Sequence, residues 1–182
     1  MPEGGGRSGG MELRNEIIIE APAERVWQAL GERFMHVSEW AAPITASCPV
    51  GTAEPGVGVT RSCNIAPFGP VKAGVVKERL TRFDREAMAF EYEALEGMPS
   101  FVGHAVNRWS VARVDDRRSQ LRIHATLTLR GPMALLGCVI KWQLESGGAK
   151  VAEELKYFVE NGKPHPRKLA SLQVSGAPSL PH

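Results

Sequence analysis

Apolar and polar residues alternate in short runs along the chain up to Leu129, after which their spacing changes to that of a helix. Runs in which every second residue is apolar, bounded by glycine, proline or aspartate, are typical of β-strands. The runs are Glu12–Glu20, Ile44–Pro49, Val57–Ile65, Val71–Asp84, Ala87–Glu93, Phe101–Val114 and Gln120–Leu129. The pattern therefore predicts a protein built mainly from antiparallel strands.

Two short helices are predicted between the first strand and the second. Pro22 ends the first strand and suits the first turn of a helix that continues to Leu30. The second short helix is predicted over Phe34–Trp40. Both helices therefore belong to the connection that leads from the first strand into the rest of the sheet.

A long amphipathic helix is predicted from Met133 to Asn161, where apolar residues recur three and four positions apart. Pro132 is suited to begin this helix and Gly162 to end it, while Ser146-Gly147-Gly148 predicts a kink near its middle. This order of elements favours an α+β fold. In such a fold the terminal helix buries its apolar stripe on the concave face of a bent sheet.

Length and composition indicate one ordinary globular domain. The chain has 182 residues, of which 43% are hydrophobic and 23% charged. These values exclude collagen-like, coiled-coil and wholly disordered proteins. No window reaches the roughly 18 consecutive apolar residues of a membrane span, and the first residues lack the pattern of a signal peptide. We therefore expect a cytoplasmic protein without a membrane span.

Charge and cysteine content exclude two further classes of protein. The 22 basic residues are scattered among 20 acidic ones and the net charge is +2, which is not the basic patch of a nucleic-acid-binding protein. Cys48, Cys63 and Cys138 lie far apart, without a CxxC motif or a nearby histidine pair. We therefore expect no nucleic-acid partner, no metal site, no disulfide framework and no cofactor.

The two ends of the chain differ in composition from its middle. Residues 1–10 are rich in glycine and are interpreted as a flexible segment or tag. Residues 163–182 are basic, contain several prolines and show no sustained apolar period, so they are interpreted as a flexible tail. The folded domain is therefore predicted to span residues 11–162.

Three stretches of the sequence resemble the START-like, birch-allergen-like helix-grip superfamily (SRPBCC), which includes the polyketide cyclase/dehydrase and lipid-transport proteins. They are Ile19–Trp27, Val76–Leu80 with Asp84, and Asn107–Val111. Together with the order of elements, the similarity covers residues 12–161. It implies a curved seven-stranded antiparallel sheet that grips the C-terminal helix and encloses a cavity for a small hydrophobic ligand.

Strand alternation predicts which side chains face this cavity. The apolar strand faces, with one tryptophan of the long helix, supply the ligand-binding candidates Val59, Arg61, Cys63, Val76, Glu78, Phe90, Tyr92, Phe101, Asn107, Trp109, Ile123 and Trp142. The second short helix would place His36 and Trp40 at the cavity mouth, and simple helix packing is the alternative for both residues.

Arg61 and Glu78 are charged residues on otherwise apolar strand faces. An isolated buried charge costs several kcal/mol, so both residues are expected to satisfy each other or a ligand. Glu78 would then be a desolvated carboxyl group with a raised pKa that can transfer a proton. Arg61 would bind a ligand oxygen or stabilise an oxyanion. The alternative is an ion pair at the solvent-exposed rim of the sheet.

The resemblance implies a third residue beside this pair. In lachrymatory-factor-synthase-like members of the superfamily, an arginine and a glutamate on successive strands act with a tyrosine on a later strand. Val57–Arg61 and Lys77–Leu80 resemble the first two stretches, whereas the tyrosine position falls on Asn107. This difference argues against that particular reaction, and Asn107 is a catalytic candidate only if the protein is an enzyme.

Three functions are compatible with these features, because the helix-grip fold does not define the chemistry. The first is binding of a small polyketide-, lipid- or aromatic-like molecule that Arg61, Glu78 and Asn107 orient. The second is a polyketide cyclase or dehydratase reaction in which the same residues perform acid–base catalysis. The third is an interaction module similar to the chaperone regulators of this fold, which predicts an exposed apolar patch instead of a closed pocket.

Overall fold

The strands of the protein form a single antiparallel sheet in a computed structural model that describes residues 10–67, 72–131 and 136–174. The strands are β1 (Gly10–Ile19), β2 (Ile44–Val50), β3 (Thr60–Ile65), β4 (Gly74–Asp84), β5 (Ala89–Glu96), β6 (Val102–Arg113) and β7 (Ser119–Leu129). Their order across the sheet is β1-β7-β6-β5-β4-β3-β2, with β1 and β2 at the two edges. This is the curved seven-stranded sheet expected from the sequence.

The connection from β1 to β2 contains the two predicted short helices in modified form. Helix α1 (Ala23–Trp27) begins after Pro22 and continues as one π-helical turn over Gln28–Glu32, and a 3₁₀ segment follows over Phe34–Glu39. Gly31 allows this tight path, because a Cβ at that position would lie 2.5 Å from the Trp27 ring. The aromatic ring therefore occupies the space that a side chain at this position would need.

The long helix α2 (Gly137–Asn161) ends at Gly162, as predicted. Gly162 has a left-handed backbone with φ of +68°, and its N–H donates to the carbonyl of Phe158. Helix α2 is continuous through Ser146-Gly147-Gly148, where the sequence predicted a kink or weak point. Gly148 instead allows a close approach, because a Cβ there would lie 2.5 Å from Nδ2 of Asn15 on β1.

Part of the predicted flexible tail forms a helix in the structure, α3 (Pro166–Val174). Its anchors are polar: Arg167 pairs with Glu154 of α2 through Nε and Oε1 at 2.9 Å, and the Lys168 side chain is fully buried. The prediction of a loose tail is therefore wrong for this segment. It missed α3 because basic residues without an apolar period resemble solvated chain.

Several sequence predictions fall outside the described residues. They concern the flexible segment 1–9, the turn at Phe68–Pro70, the helix start at Pro132 and the end of the tail, 175–182. Gly10, assigned to the flexible segment, belongs to β1. No helix in the described part of the chain is long and apolar enough to cross a membrane.

The main core lies between the concave face of the sheet, α1, the 3₁₀ segment and the second half of α2. Its fully buried members include Ile19, Phe34, Leu80, Leu121 and Leu155. The two faces of β7 alternate as predicted, since Leu121, Ile123, Leu127 and Leu129 are buried while Arg122 is exposed. Sheet curvature and this alternation together direct one row of side chains from each central strand toward α2.

Candidate functional site

A cavity of about 280 Å³ lies between the concave face of the sheet, the 3₁₀ segment and α2. Its wall is mainly apolar and aromatic, as in pockets that hold small organic molecules. The sequence-predicted residues that line it are Trp40, Arg61, Glu78, Phe90, Tyr92, Asn107, Trp109 and Ile123. Trp40 directly follows the 3₁₀ segment and the other side chains come from strands β3 to β7, so the fold brings distant parts of the chain to one site.

Arg61 and Glu78 form a buried ion pair at this wall. They are direct cross-strand partners on β3 and β4, and only 5% and 9% of their surfaces are exposed. The Arg61 Nε and Nη2 atoms each lie 2.7 Å from Glu78 Oε2. Nη1 of Arg61 donates to the carbonyl of Phe34, and the guanidinium group lies 3.8 Å from the centre of the Phe34 ring. The pair is therefore interior and well satisfied, not at a solvent-exposed rim.

Burial and the Arg61–Glu78 pair together shift the pKa values of the side chains in this part of the wall. Burial alone would lower the pKa of Arg61, but the adjacent Glu78 outweighs it and holds this pKa above its ordinary value. Burial raises the pKa of the Cys63 thiol to about 11, and Glu78 contributes in the same direction. Burial also raises the pKa of the Tyr92 phenol, again with a contribution from Glu78. Both Cys63 and Tyr92 are consequently protonated at neutral pH.

Tyr92 is the tyrosine that lies beside the ion pair, although the sequence resemblance placed the tyrosine position at residue 107. It is the cross-strand partner of Asn107, and the Arg61 guanidinium lies 5.3 Å from the centre of its ring. An arginine, a glutamate and a tyrosine thus lie together, with the tyrosine on β5 instead of at position 107 on β6. The cross-strand register that creates this cluster is not readable from a single sequence.

Aromatic rings form one side of the cavity. Phe90 lies between Tyr92 and Trp109, with ring centres 6.1 and 6.3 Å away and interplanar angles of 26° and 10°. Trp40 meets Trp109 edge-on at 6.4 Å. The indole N–H groups of Trp40 and Trp109 are both buried without an acceptor in the described part of the protein. Two hydrogen-bond donors are therefore left unsatisfied in the wall of the cavity.

Two asparagines add polar atoms to the otherwise apolar wall. Asn107 from β6 and Asn15 from β1 both line the cavity, and Asn15 lies over Gly148 of α2. Asn15 was missed in the sequence because the alternation of β1 is obscured by its run of isoleucines. The other lining residues that were missed include Leu13, Leu30, Arg33, Met98 and Val151. The helical spacing of α2 places Val151 on the apolar face of the helix, but it does not indicate which residues of that face line the cavity.

Some predicted ligand-binding residues lie away from this cavity. Val59 and Cys63 are buried in the core behind its wall. Val76 and Phe101 line a second apolar cavity of about 170 Å³ at the first half of α2. Their strand faces were predicted correctly, but a face alone does not say how far along the sheet a cavity extends.

Trp142 is not a pocket residue, because 69% of its surface is exposed. Ile140 and Leu144 are the residues of α2 that pack toward the sheet. Trp142 is two positions from each of them, which places it about 200° around the helix. The prediction that Trp142 lines the cavity is therefore wrong.

Arg33, and not the predicted His36, is the basic residue near the 3₁₀ segment that lines the cavity. Arg33 lines the cavity and donates to both carboxylate oxygens of Glu39 at 2.7 Å. The His36 side chain is more than half exposed and its Nδ1 lies 2.9 Å from the same carboxylate. His36 therefore does not line the cavity, whereas Trp40, the other predicted mouth residue, does.

Residues 40–44, which we call the wall segment, are held from behind by the C-terminal part of the chain. Trp40, Ala41, Pro43 and Ile44 line the cavity. Glu154 of α2 accepts a hydrogen bond from the Ala42 N–H at 2.8 Å, and Lys168 of α3 donates to the carbonyl of Ile44 at 2.5 Å. The position of this wall thus depends on two buried charged side chains.

Comparison with known families identifies the class of protein. A family model described as polyketide cyclase / dehydrase and lipid transport matches residues 11–160. The chain therefore belongs to this family, and with it to the START-like helix-grip superfamily that its motifs resemble. Helix α3 and its anchors Arg167 and Lys168 lie beyond the matched region.

Solved structures agree on the fold. A Thermus thermophilus protein with 18% identity has a TM-score of 0.68, covering 84% of this chain and 99% of its own. A Streptomyces aromatase/cyclase, Zhui, has 17% identity and a TM-score of 0.64, with 86% and 100% covered. Norcoclaurine synthase of Thalictrum flavum has 13% identity and a TM-score of 0.64, with 85% and 96% covered. A search of curated proteins finds no match.

Proposed function

We propose that the protein binds a small, mainly apolar molecule in the cavity between the sheet and α2. The observation that carries this proposal is the cavity itself, about 280 Å³ in volume and walled largely by aromatic and aliphatic side chains. A protein interior is normally packed to the density of an organic crystal. An internal space of this size beside several aromatic rings is therefore more economically explained by a ligand than by imperfect packing.

The Arg61–Glu78 pair would orient the polar end of that ligand. Arg61 already donates to Glu78 and to the Phe34 carbonyl, and a guanidinium group has five N–H bonds. The remaining donors can meet a ligand oxygen without breaking the ion pair. Asn107, on the neighbouring part of the wall, would offer an amide to the same end of the ligand.

A ligand titration followed by NMR tests this proposal. Hydrophobic molecules of matched size should shift resonances of Ile123 and Ala105, which line the cavity, in a saturable manner. Ala105→Phe, which fills the cavity, should weaken binding by at least tenfold. Ala87→Phe, on an exposed turn, is the matched control and should leave affinity unchanged. If no molecule binds saturably, or if both variants behave alike, the proposal is wrong.

An enzymatic reaction is the second candidate, and the cluster of Arg61, Glu78 and Tyr92 favours it. Glu78 would act as the base that removes a proton adjacent to a carbonyl group. Arg61 would stabilise the resulting enolate oxygen, the protonated Tyr92 would donate a hydrogen bond to it, and Glu78 would return the proton that it removed. Asn107 would then bind substrate without transferring a proton. Turnover that survives Glu78→Gln would exclude this mechanism.

The interaction-module hypothesis has weaker support. It predicts an exposed apolar patch in place of a pocket, whereas the described residues line a partly enclosed cavity. Val139 and Trp142 are exposed on α2, but single exposed apolar side chains are common on protein surfaces and do not require a partner. We therefore retain ligand binding as the function that the geometry supports best.

A further inference from the structure

We infer that helix α3 positions the wall segment for ligand binding, with Arg167 and Lys168 as positioning residues, so that docking of α3 and occupation of the cavity strengthen each other. This inference rests on the proposed function and adds a form of regulation to it. Helix α3 begins at Pro166, beyond the residues 11–160 that the family model matches. The family resemblance therefore does not predict this role.

The wall segment spans the gap between the sheet and the helices. On the sheet side it continues into β2, and the Pro43 carbonyl accepts a hydrogen bond at 2.8 Å from the residue that follows β3. On the helix side, the Ala42 N–H donates to Glu154 and the Ile44 carbonyl accepts from Lys168. Because the cavity lies between the sheet and α2, these two sets of anchors together fix its width. Loss of the helix-side anchors would let the wall segment shift relative to α2.

Glu154 of α2 links the wall segment to α3 through a single carboxylate. Its Oε2 accepts from the Ala42 N–H at 2.8 Å, and its Oε1 accepts from Nε of Arg167 at 2.9 Å. Arg167 holds the carboxylate in this orientation, so the contact with Ala42 depends on α3. Lys168, the next residue, reaches the wall segment directly at the Ile44 carbonyl. Two adjacent residues of α3 therefore act on the wall segment, one through Glu154 and one by direct contact.

Polar contacts hold α3 in place, with little apolar burial. Among residues 166–173 only Lys168 is buried, and Leu169 is 49% exposed. Arg167 also donates to the Glu153 carboxylate at 2.9 Å and to a backbone carbonyl of α2 at 3.0 Å. Such contacts give a modest net stabilisation, because each charged group loses hydration when it docks. Segments with little apolar burial open locally within the native state. We therefore expect α3 to dock reversibly.

Reversible docking of α3 is linked to binding in the cavity. A ligand packs against Trp40 and Ala41 of the wall segment and holds the segment in the position that α3 requires. Docked α3 in turn holds the segment in the position that the ligand contacts. By linkage, docking raises the affinity for the ligand by the same factor by which the ligand raises the docking equilibrium constant. We expect a factor of about ten, in the lower part of the range for coupled sites.

A charge-reversal variant tests the effect of α3 on the cavity. Lys168→Glu places a carboxylate against Glu154 and the Ile44 carbonyl, so it should release α3. Lys163→Glu makes the same change of charge at an exposed residue and is the matched control. The probes are naphthalene and 1-decanol, two uncharged molecules of different shape, titrated by NMR with Ile123 of the cavity as reporter. Lys168→Glu should weaken binding of both probes by about tenfold, and Lys163→Glu should leave it unchanged.

Hydrogen exchange of the unaltered protein supplies the reciprocal measurement. A saturating probe should slow exchange of the Leu169 N–H, which donates to the His165 carbonyl in α3, by the same factor of about ten. The Val114 N–H, in the turn between β6 and β7, is the reference and should exchange at an unchanged rate. If α3 opened independently of the cavity, its exchange would not respond to the probe. In Lys168→Glu the α3 amides should exchange faster, which reports the release of α3.

The outcomes separate this inference from the proposed function. Equal affinity of a binding probe for the native protein and for Lys168→Glu with α3 released would overturn the inference and leave the proposed function intact. Exchange of α3 that does not respond to a saturating probe would do the same, and it decides alone if Lys168→Glu fails to fold. If neither probe binds but another hydrophobic molecule does, that molecule replaces them in both measurements. If nothing binds to the native protein, both the proposed function and the inference are wrong.

Discussion

The ammonium group of Lys168 donates a hydrogen bond to the backbone carbonyl of Ile44 at 2.5 Å, although the two residues are far apart in the sequence. Ile44 belongs to the wall segment of the cavity, and Lys168 lies on the C-terminal helix α3 with none of its surface exposed. This contact joins α3 to the cavity wall. It also buries a titratable group, which makes the stability of the contact dependent on pH.

We predict that Lys168 contributes a stability that rises with pH above about 8, and that the difference in stability between the native protein and Lys168→Met changes accordingly. Burial lowers the pKa of Lys168 from 10.5 to about 8. Between these values Lys168 binds a proton in the unfolded chain but not in the folded protein, so its contribution to the free energy of unfolding increases with pH, by at most about 3 kcal/mol. Below pH 8 both states are protonated and the penalty is fully present.

Denaturant unfolding of the native protein and of Lys168→Met from pH 7 to 10.5 measures this effect. The difference between the two proteins cancels the titration of all other groups. Lys141→Met, at a half-exposed lysine that pairs with Glu145 on α2, is the matched control and should follow the native curve. A constant difference between native protein and Lys168→Met over this range would contradict the prediction.

Glu154 should stabilise the protein far more than other acidic residues of α2. It is 1% exposed and accepts hydrogen bonds from the Ala42 N–H and from Arg167. Glu154→Ala leaves the partly buried Ala42 N–H without its acceptor and removes one of the carboxylates that pair with Arg167, and we expect the free energy of unfolding to fall by about 2 kcal/mol. Glu145→Ala, which removes an exposed pair with Lys141, should lower it by no more than about 0.5 kcal/mol.

Thermal unfolding of both variants gives the comparison. Because Glu154 holds the wall segment, Glu154→Ala should also weaken binding of a cavity ligand, whereas Glu145→Ala should not. Equal stability losses in the two variants would mean that the link between α2, α3 and the wall segment contributes little.

Strand faces were predictable from the sequence because their two-residue period is a local property. Arg61, Glu78 and Ile123 were therefore placed on the concave face, and all three line the cavity. The approach of Tyr92 to Arg61 depends on the register between strands, which local alternation does not contain. The sequence resemblance consequently placed the catalytic tyrosine position at Asn107, and Tyr92 was predicted only as a ligand-binding residue.

The helices were likewise only partly predictable from the sequence. The spacing of α2 predicted a helix and its end at Gly162, but not that Trp142 faces outward. Helix α3 escaped prediction because its anchors, Arg167 and Lys168, are charged, and such residues are normally solvated. The partners that bury them, Glu154 and the Ile44 carbonyl, are distant in sequence.

Cys63 should be unreactive in the folded protein. It has no exposed surface, and burial together with Glu78 raises its pKa to about 11, so almost none of the reactive thiolate is present at pH 7.5. Cys48 and Cys138 are exposed. We expect iodoacetamide to label these two thiols in the native state and Cys63 only after denaturation, which mass spectrometry of peptides can follow. Labelling of native Cys63 at the rate of Cys48 would contradict this view of the site.

Removing one partner of the Arg61–Glu78 pair should lower the free energy of unfolding more than replacing both partners. Arg61→Met leaves the Glu78 carboxylate buried without its partner, and we expect a loss of about 3–5 kcal/mol in the free energy of unfolding. The double variant Arg61→Met with Glu78→Leu removes both charges and should lose less than Arg61→Met alone, because no uncompensated charge remains. Arg79→Met breaks the neighbouring cross-strand pair with Glu93, in which Arg79 is about half exposed, and should lose no more than about 1 kcal/mol.

A double-mutant cycle on urea unfolding supplies the coupling energy between Arg61 and Glu78. Additive losses from the two single variants would show that the two charges do not interact. If the pair exists to orient a ligand, the double variant should fold nearly as well as the native protein and yet bind cavity ligands less tightly. The stability of the pair and its role in the cavity are thereby measured separately, since only the second depends on a ligand.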